Sequence, residues 1–360
     1  MGEVLLAADV LRPFAQDVIH RMGADDDIAE EVGDHLVGAN LAGHDSHGVL
    51  RLTQYVEGMD RGNLVPNARG AAVKESPSLC LFDAGRGFGQ WSGRRALEWC
   101  VDAAGRTGIA AASVRHSMHA GRLGHYTEVA AGRGLVGIVC LGLAGPGAGI
   151  VAPFGGGARF LSTNPWSIGV PARGRTPLVV DFATSQLAEG KVRVARFRGK
   201  QLPEGVLFDA AGAPSVEPED LYDGGALTTV GGALTGHKGY GLSLAAALLG
   251  GLAMIDDEEP TPAGSMSGPP PADPWMAGLF LVVLDPEWFG GADRYARQVT
   301  EILDAAGAVA PAAGTEQVLV PGEPEAQARA AREREGISVP DAVWTQLREL
   351  GRRFQVPLPD

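Results

Sequence analysis

The sequence predicts an α/β (α+β) protein with two parts, and three features of the 360-residue chain indicate this fold class. Apolar residues recur at helical spacing over residues 4–62. From about residue 76 the pattern changes to short apolar runs between glycine clusters, and residues 323–352 return to a charged helical pattern. We therefore expect a helical N-terminal domain over residues 1–70, joined by C-terminal helices within 323–360, beside a larger α/β domain over 71–322.

The individual elements are predicted from periodicity, caps and breakers, in chain order. The first domain is expected to contain a helix through residues 4–19 that is interrupted at Pro13, a helix capped by the aspartates 25–27 that runs towards Ala42, and a helix from Asp45 or Ser46 to near residue 62. Strands are predicted at 79–82, 109–114, 136–141, 177–181 and 279–285, and helices at 91–104, 125–131, 238–254 and 292–306. Residues 256–274, rich in proline, glycine and serine, are predicted to form a mobile loop.

Composition and charge exclude several kinds of partner and indicate where the protein is located. The net charge is −13 and no basic stripe is visible, so neither nucleic acid nor an anionic membrane surface is expected as a partner. Three widely spaced cysteines give neither a disulfide framework nor a pair of metal ligands, which is typical of a reducing compartment. The N-terminus lacks the basic region of a signal peptide, and the most apolar helix candidate is too short to span a bilayer. A cytoplasmic location is therefore predicted.

Two glycine-rich segments look like phosphate-binding loops but lack the required spacing. After the strand candidate at 79–82, Gln90 stands where the third glycine of a GxGxxG turn belongs. In the segment 231–238, His237 precedes the lysine, and no hydroxyl residue follows Lys238 to bind magnesium. We expect these glycines to form turns and bulges, so a nucleotide would have to bind to a fold of another kind.

The segment GHDSHGVLR contains the first candidate site. If one helix carries His47, Arg51 and Tyr55, their i, i+4 and i+8 spacing places all three on one face. An arginine fork can bind a carboxylate through two hydrogen bonds, and a histidine one turn away can exchange a proton with an oxygen on the adjacent carbon. The tyrosine can add a hydrogen bond. The alternative is an ordinary helix start, with Asp45 or Ser46 as its cap.

A second histidine cluster lies in HSMHAGRLGH (116–125). Together with His44 and His47, residues His116 and His119 give two HxxH pairs, and imidazoles are common ligands of zinc and other transition metals. Neither pair carries the carboxylate of an HExxH motif, so no metal site is predicted. A metal-dependent hydrolase built on these pairs is one alternative function.

Seven motifs in a fixed order give the chain a resemblance to a known family. They are GHDSHGVLRLTQYVEGMDRGNLVP (43–66), HSMHAGRLGHY (116–126), STNPWSIGVP (162–171), VDFATSQLAEGKVRVARFRGKQLPEG (180–205), GHKGYGLSL (236–244), LVVLDPEWFG (281–290) and PGEPE (321–325). The sequence resembles the malate/L-lactate dehydrogenase family of the second type, which is unrelated to the Rossmann lactate and malate dehydrogenases. The resemblance covers nearly the whole chain.

The resemblance implies an enzyme that interconverts 2-oxo and 2-hydroxy acids by hydride transfer, with NAD or NADP as cofactor. Some members of the family act on ureidoglycolate, diketogulonate, sulfolactate or cyclic imino acids. The implied fold is a helical domain beside a non-Rossmann α/β domain that binds the dinucleotide, and the implied assembly is a homodimer.

The resemblance also implies the site residues. By motif position these are His47 as general acid/base, Arg51 as ligand of the substrate carboxylate, His119 as the second active-site histidine, Ser46 among the catalytic residues and Tyr55 in the substrate site. The residues implied to contact the cofactor are Gly121, Arg122, Leu123, Asp181, Phe182, Ala183, Thr184, Ser185, His237, Lys238, Gly322 and Glu323.

Two further functions remain open beside the hydrolase. The first is a cyclic imino-acid reductase that uses the same site. Lys191 disfavours it, because the imine-reducing member of the family has an acid after the corresponding glycine. The second is a catalytically inactive nucleotide-binding module, which the complete set of His47, Arg51 and Tyr55 disfavours.

Overall fold

The computed structural model of the protein describes residues 2–253 and 276–358. Its first elements are β1 (Glu3–Leu6), α1 (Ala8–Arg21), α2 (Asp26–Leu41), α3 (Arg51–Asp60), β2 (Ala71–Glu75), β3 (Leu79–Asp83), α4 (Gly89–Thr107), β4 (Ile109–Arg115), α5 (Gly124–Gly132), β5 (Val136–Ala144), β6 (Trp166–Val170) and β7 (Leu178–Phe182). The remaining elements are α6 (Glu189–Phe197), β8 (Leu207–Phe208), β9 (Pro214–Ser215), α7 (Pro218–Tyr222), β10 (Ala226–Leu227), α8 (Gly232–Gly250), β11 (Met276–Leu284), α9 (Ala292–Gly307), α10 (Glu323–Glu335), β12 (Ile337–Pro340) and α11 (Asp341–Phe354).

The central sheet has seven strands in the order β2-β3-β4-β11-β5-β6-β7. Within the described part of the chain, β3 and β4 are its parallel pair, and the other neighbouring strands run antiparallel. A Rossmann domain is built on a mostly parallel sheet with a different strand order. The predicted α/β class, with a domain that is not of the Rossmann type, is therefore confirmed.

Two predictions for the N-terminal region are wrong. Residues 3–6 form β1 rather than the first turn of a helix, because they pair antiparallel with the distant strand β12. Pro13 lies inside α1 and does not interrupt it. A proline there removes one backbone hydrogen bond, and the fully buried Leu11 and nearly buried Phe14 hold the helix against the core. The second helix, α2, begins and ends close to the predicted residues.

The predictions for the larger region succeed where the apolar runs are long. The five predicted strands are confirmed as β3, β4, β5, β7 and β11, and the four predicted helices as α4, α5, α8 and α9. The prediction missed β2, β6, α6, α7 and the two-residue strands β8–β10, whose segments are short or lack an apolar period. The C-terminal helices predicted within 323–360 are confirmed as α10 and α11, and the unpredicted strand β12 lies between them. The predicted loop at 256–274 lies outside the described residues.

One hydrophobic core joins the N-terminal helices to the C-terminal segment. Its buried members come from α1, α2 and α3 and also from β12 and α11, and they include Ile19, Leu36, Leu52, Ile337 and Leu347. This joint core supports the proposed division into a helical domain (1–70 with 323–360) and an α/β domain (71–322).

Helices cover both faces of the central sheet. α4 and α5 share a core with Leu279, Leu281 and Val283, which point to one face of β11. Gly278 points to the opposite face, where α8 packs so closely that a Cβ at this position would lie 2.4 Å from the carbonyl oxygen of Gly250. Neither α8 nor any other helix within the described ranges is long and apolar enough to cross a membrane.

Candidate active site

His47 lies in a short 3-10 turn over 45–47 and not on the helix that begins at Arg51. The prediction that one helix carries both residues is therefore wrong. Gly48 has an extended backbone, and Asn40 occupies the space beside it, so that a Cβ on Gly48 would lie 2.2 Å from Asn40 Oδ1. The same oxygen accepts a hydrogen bond of 2.9 Å from the N–H of the residue after Gly48. Asn40 thus sets the direction in which the chain leaves His47.

Long-range contacts hold the turn in place. Asp45 accepts hydrogen bonds from Asn40 Nδ2 at 2.7 Å and from the guanidinium of Arg332 at 2.6 and 3.0 Å. His44 Nε2 lies 3.1 Å from Glu325 Oε1. Arg332 and Glu325 both belong to α10, so a helix near the other end of the chain holds the turn at 45–47 in place. No local pattern in the sequence indicates Asn40 or Arg332 as part of the site.

Four side chains form a continuous hydrogen-bond chain. His47 Nδ1 lies 3.0 Å from His119 Nε2, and His119 Nδ1 lies 2.9 Å from the hydroxyl oxygen of Tyr55. Gln90 Nε2 donates to the same hydroxyl oxygen at 2.5 Å. The structure therefore brings together His47, His119 and Tyr55, which the sequence predicts as site residues, and adds Gln90.

Burial and positive charge keep both histidines neutral. Burial, together with smaller effects of the neighbouring Arg51 and His44, lowers the pKa of His47 to about 3. Burial also lowers the pKa of His119 well below its ordinary value, with smaller effects in the same direction from Arg51 and His47. Burial raises the pKa of Tyr55 to about 12. In the ligand-free protein at neutral pH, the hydrogen-bond chain therefore contains two neutral imidazoles, those of His47 and His119, and the protonated phenol of Tyr55.

Arg51 lies beside the turn at 45–47. Its Nε donates to the carbonyl oxygen of Ser46 at 2.6 Å, and its Nη1 donates to Gln54. Helix α3 begins after Leu50, so neither Asp45 nor Ser46 is its cap. Ser46 contributes its backbone carbonyl to the position of Arg51. These contacts use two of the five N–H donors of the guanidinium.

The second histidine segment is held by different partners. His116 Nδ1 lies 2.9 Å from Asp83 Oδ2, at the end of β3. At Gly121, where φ is +72°, a Cβ would lie 2.2 Å from the Nε2 of the buried His35. That Nε2 accepts a hydrogen bond of 2.9 Å from the backbone N–H of Arg122. His35 is a supporting residue that the sequence analysis missed, since it lies in the middle of α2 with no motif around it.

The two HxxH pairs do not converge on one point. In each pair the first histidine faces a carboxylate and the second faces the hydrogen-bond chain. Among residues 2–253 and 276–358, no group of three or more His, Cys, Asp or Glu side chains has an arrangement that could hold a metal ion.

Several residues implied for the cofactor are engaged with each other. The side chain of Arg122 is only 2% exposed, and its Nη2 donates to Glu128 at 2.8 Å. Its Nε lies 3.6 Å from Asp181 Oδ2, which accepts the backbone N–H of Gly124 at 2.7 Å. Leu123 is buried beside them. The loop at 121–124 is thus fastened to the end of β7.

The segment after β7 is also fixed by its own side chains. Thr184, fully buried, donates to the carbonyl oxygens of Thr163 and Asn164 at 3.0 Å each, and Ser185 donates to that of Leu187 at 2.7 Å. The two residues before Thr184, Phe182 and Ala183, are partly buried. The hydrogen bonds of Thr184 and Ser185 thus hold the backbone of this segment in place.

Strand β7 brings the other implied cofactor segments close to this one. Val179 in β7 donates to the carbonyl oxygen of Pro321 at 3.2 Å, and Val230 donates to that of Thr184 at 2.8 Å. The segments 181–185, 321–323 and the start of α8 therefore lie side by side, although they are far apart in sequence.

Two helices begin at this place, each after a glycine with positive φ. Gly231 (φ +98°) precedes α8, and Gly322 (φ +99°) precedes α10. His237 and Lys238 are exposed on α8. Glu323 is turned inwards, since its Oε2 accepts the N–H of Val320 at 3.0 Å. Helix N-termini with exposed cations nearby are favourable places for phosphate groups.

Comparison with known proteins gives consistent matches along the chain. Residues 6–348 match the model of one protein family, described as malate/L-lactate dehydrogenase. The sequence is 33% identical to hydroxycarboxylate dehydrogenase B of Escherichia coli (strain K12) over 352 residues, which covers 97% of this chain and 94% of the relative.

Solved structures share the whole fold. Malate dehydrogenase from Entamoeba histolytica superposes with a TM-score of 0.89 at 25% identity, covering 100% of both chains. The delta1-piperideine-2-carboxylate reductase from Pseudomonas syringae pvar. tomato superposes with a TM-score of 0.81 at 28% identity, covering 96% of this chain and 99% of that chain.

Proposed function

Since the chain belongs to the malate/L-lactate dehydrogenase family, we propose that it is an oxidoreductase that interconverts a 2-oxo acid and a 2-hydroxy acid, with NAD or NADP as cofactor. The observation that carries the proposal is the contact of 3.0 Å between His47 Nδ1 and His119 Nε2 beside the guanidinium of Arg51. This contact supports the proposal because a ring that can exchange a proton would lie next to a guanidinium that can bind a carboxylate, as a small 2-oxo acid requires.

His47 is proposed as the general acid/base. In oxidation the neutral imidazole accepts the proton of the substrate hydroxyl, and in reduction the protonated ring donates it to the oxygen on which negative charge develops. The low pKa of His47 keeps the ring neutral, which is the charge state that oxidation requires. A bound carboxylate would offset the positive charge of Arg51, which is one cause of this low pKa, and so favour protonation when a 2-oxo acid is present.

Arg51 is proposed to bind the substrate carboxylate. Its contacts with Ser46 and Gln54 fix the plane of the guanidinium while leaving donors for a ligand. A carboxylate held by this fork keeps the adjacent carbonyl carbon in one orientation, which lowers the entropic part of the barrier.

The segments beside β7 are proposed to hold the cofactor. Main chain at 121–123, 181–185 and 322–323 and the exposed His237 and Lys238 would provide its contacts, and the N-terminus of α8 with its two glycines fits a pyrophosphate. When bound, the nicotinamide ring supplies or accepts the hydride. The residues of this chain bind and orient the acid and move the proton.

A cyclic imino-acid reductase is the second candidate. Its support is the similarity to the delta1-piperideine-2-carboxylate reductase over nearly the full length. Lys191 lies in the first turn of α6, which begins beside the catalytic turn, since a Cβ at Gly190 would lie 3.3 Å from the Cβ of Ser46. A positive charge on this exposed lysine would repel a cationic imine, which favours the 2-oxo acid as substrate.

The hydrolase alternative has no comparable support. Each HxxH pair is divided between a carboxylate and the hydrogen-bond chain, and the family is one of dehydrogenases. The inactive-module alternative is disfavoured by the ordered contact of His47, His119 and Tyr55.

A homodimer and a reducing compartment are also proposed. Helix α8 exposes Leu234, Leu242 and Leu248, an apolar surface that a second copy of the chain would cover. The three cysteines are free and buried, as expected for a protein without disulfides. Light scattering of the purified protein tests the dimer.

The function is tested by a panel of 2-oxo acids and cyclic imines. Each compound is assayed with NADH and with NADPH, and the absorbance of the reduced nicotinamide is followed. Turnover of 2-oxo acids above that of the imines supports the proposal. Preference for the cyclic imines would establish the second candidate, and absence of turnover with every compound would contradict both.

A further inference from the structure

Gln90 is buried at the far end of the hydrogen-bond chain from the proposed substrate site. It lies in the first turn of α4 and is 0% exposed. Its Nε2 donates to the hydroxyl oxygen of Tyr55 at 2.5 Å, while its Oε1 is buried and, among the residues that the structure describes, has no hydrogen-bond partner. A buried polar group without a partner is costly. Because Tyr55 can either accept from the amide nitrogen or donate to the amide oxygen, the two orientations of this amide are alternatives with opposite effects on Tyr55.

With the amide nitrogen towards Tyr55, the order of donors along the chain is fixed. The oxygen of Tyr55 accepts from Gln90, so its O–H is free to donate to His119 Nδ1. A neutral His119 then carries its proton on Nε2 and donates it to His47 Nδ1. A neutral His47 must carry its own proton on Nε2, the nitrogen that is turned away from His119. In this order His47 is a donor and cannot accept a proton from a substrate hydroxyl.

With the amide oxygen towards Tyr55, every bond reverses. Tyr55 donates to Gln90, His119 Nδ1–H donates to Tyr55, and His119 Nε2 accepts from His47 Nδ1–H. His47 Nε2 is then a bare acceptor. A further proton on His47 at Nε2 leaves all these hydrogen bonds intact. In the first order, an added proton would go to His47 Nδ1, where it would face the N–H of His119 Nε2, so that two donors would oppose each other.

We propose that Gln90 is a positioning residue that controls proton transfer at His47, because the histidine pair can hold a proton only when the amide oxygen faces Tyr55. The proposal rests on the proposed function for its consequence in catalysis, but its effect on the tautomers does not. The observed orientation, with the nitrogen towards Tyr55, corresponds to the neutral pair.

The surroundings of the pair make this control effective. The ionisable groups that act on His47 and His119 from the neighbouring elements are Arg51 on α3, His44 in the turn, and Arg122 and His35 beside the second loop. All of them oppose a positive charge on the pair. Protonation of the histidine pair therefore depends on acceptors further along the hydrogen-bond chain. Tyr55 can accept a hydrogen bond from His119, but its own O–H then needs an acceptor, and Gln90 Oε1 is the group that can provide it.

The direct test is the tautomeric state of the two histidines by ¹⁵N NMR on histidine-labelled full-length protein at neutral to mildly alkaline pH. In the wild type, both rings should carry the proton on Nε2. In Gln90→Glu, an ionised carboxylate only accepts, so both rings should carry it on Nδ1. Gln298→Glu, the same change on the exposed surface of α9, is the matched control and should keep the wild-type tautomers. The eight histidines are few enough to assign by single replacements.

Gln90→Met gives a second test that does not depend on the buried carboxylate. It keeps the length of the side chain but removes the acceptor, so the tautomers should remain as in the wild type. The kcat for 2-oxo acid reduction should fall roughly ten- to a hundredfold, with unchanged KM for the cofactor, because a hydrogen bond that serves a charged group is lost. In Gln90→Glu, a negative charge at the end of the hydrogen-bond chain should raise the pKa of the pair, so kcat/KM for reduction should level off at a higher pH than in the wild type.

The outcomes separate this proposal from the proposed function. Unchanged tautomers in Gln90→Glu, or a wild-type rate and pH profile in Gln90→Met, would overturn the role of Gln90 even if the protein reduces 2-oxo acids. Reversed tautomers in a protein that turns over no 2-oxo acid would support the control by Gln90 and contradict the function.

Discussion

The two HxxH pairs have the same spacing, but the residues that hold them come from different parts of the chain. In both, the first histidine binds a carboxylate and the second joins the hydrogen-bond chain. The pair at 44–47 belongs to a turn whose partners, Glu325 and Arg332, come from the C-terminal helix α10. The pair at 116–119 follows β4 directly, and its carboxylate, Asp83, ends the neighbouring strand β3.

This difference shows that the two halves of the reactive pair are positioned independently. One histidine depends on ion pairs between distant parts of the chain. The other depends on the ends of β3 and β4, two neighbouring strands of the central sheet. Their contact of 3.0 Å is therefore a property of the whole fold. We therefore expect changes at the second histidines to affect chemistry and changes at the first histidines to affect the position of the second.

The largest effect is expected for His47→Asn. Because the ring that exchanges the proton is lost, the rate of 2-oxo acid reduction should fall by roughly two to four orders of magnitude. Binding of the reduced cofactor, followed by fluorescence, should change little. Turnover close to that of the wild type would mean that His47 is not the general acid/base, and His119 would be the next candidate.

The next effect is expected for Arg51→Lys. An ammonium cannot reproduce a planar two-point contact, so kcat/KM for a 2-oxo acid should fall about ten- to a hundredfold, with a higher KM and a lower kcat. The decarboxylated aldehyde analogue should be a poor substrate of both proteins and little affected. Equal losses for the two compounds would mean that Arg51 is structural, and Arg122 would be the next residue to test.

The pH dependence distinguishes the second histidines from ordinary ones. Reduction requires a protonated pair, and the pKa of His47 is lowered to about 3 in the free protein. Therefore kcat/KM for reduction should rise about tenfold per unit as the pH falls from about 8 to about 5, with no plateau near the ordinary histidine pKa of about 6.5. Over the same range, kcat/KM for oxidation should stay flat, because the histidine pair remains neutral throughout. A plateau near the ordinary value would mean that neither burial nor Arg51 acts on His47 as described.

The smallest effect is expected for removal of metal. Since the members of each HxxH pair have different partners and hydride transfer needs no metal, protein dialysed against a strong chelator should keep its activity. Stoichiometric zinc whose removal abolishes activity, and whose return restores it, would contradict this prediction.

The sequence predicted which residues come together at the candidate site better than it predicted their geometry. Tyr55 and Arg51 lie on one helix as their spacing indicates, since α3 forms locally. His47 does not, because Gly48 is extended against Asn40, a contact that depends on packing between elements. The family motifs identified His119 without locating it beside His47.

The residues that were missed act through tertiary contacts. Gln90 was noted only because it breaks a glycine pattern, and its contact with Tyr55 arises when α4 packs on α3. Likewise Arg332 reaches Asp45 across 287 positions of sequence, and β12 replaces a predicted helical segment because β1 pairs with it. Periodicity describes single elements, and none of these features belongs to a single element.

The central claim is that the second histidine of each pair performs the chemistry and the first supports it. It is tested most directly by kcat/KM for 2-oxo acid reduction in four single variants, each first shown to be folded by circular dichroism. We predict that His47→Asn and His119→Asn lose at least about a hundredfold, whereas His44→Asn and His116→Asn remain within about tenfold of the wild type. Losses of similar size in all four variants, or larger losses at the first positions, would contradict the account.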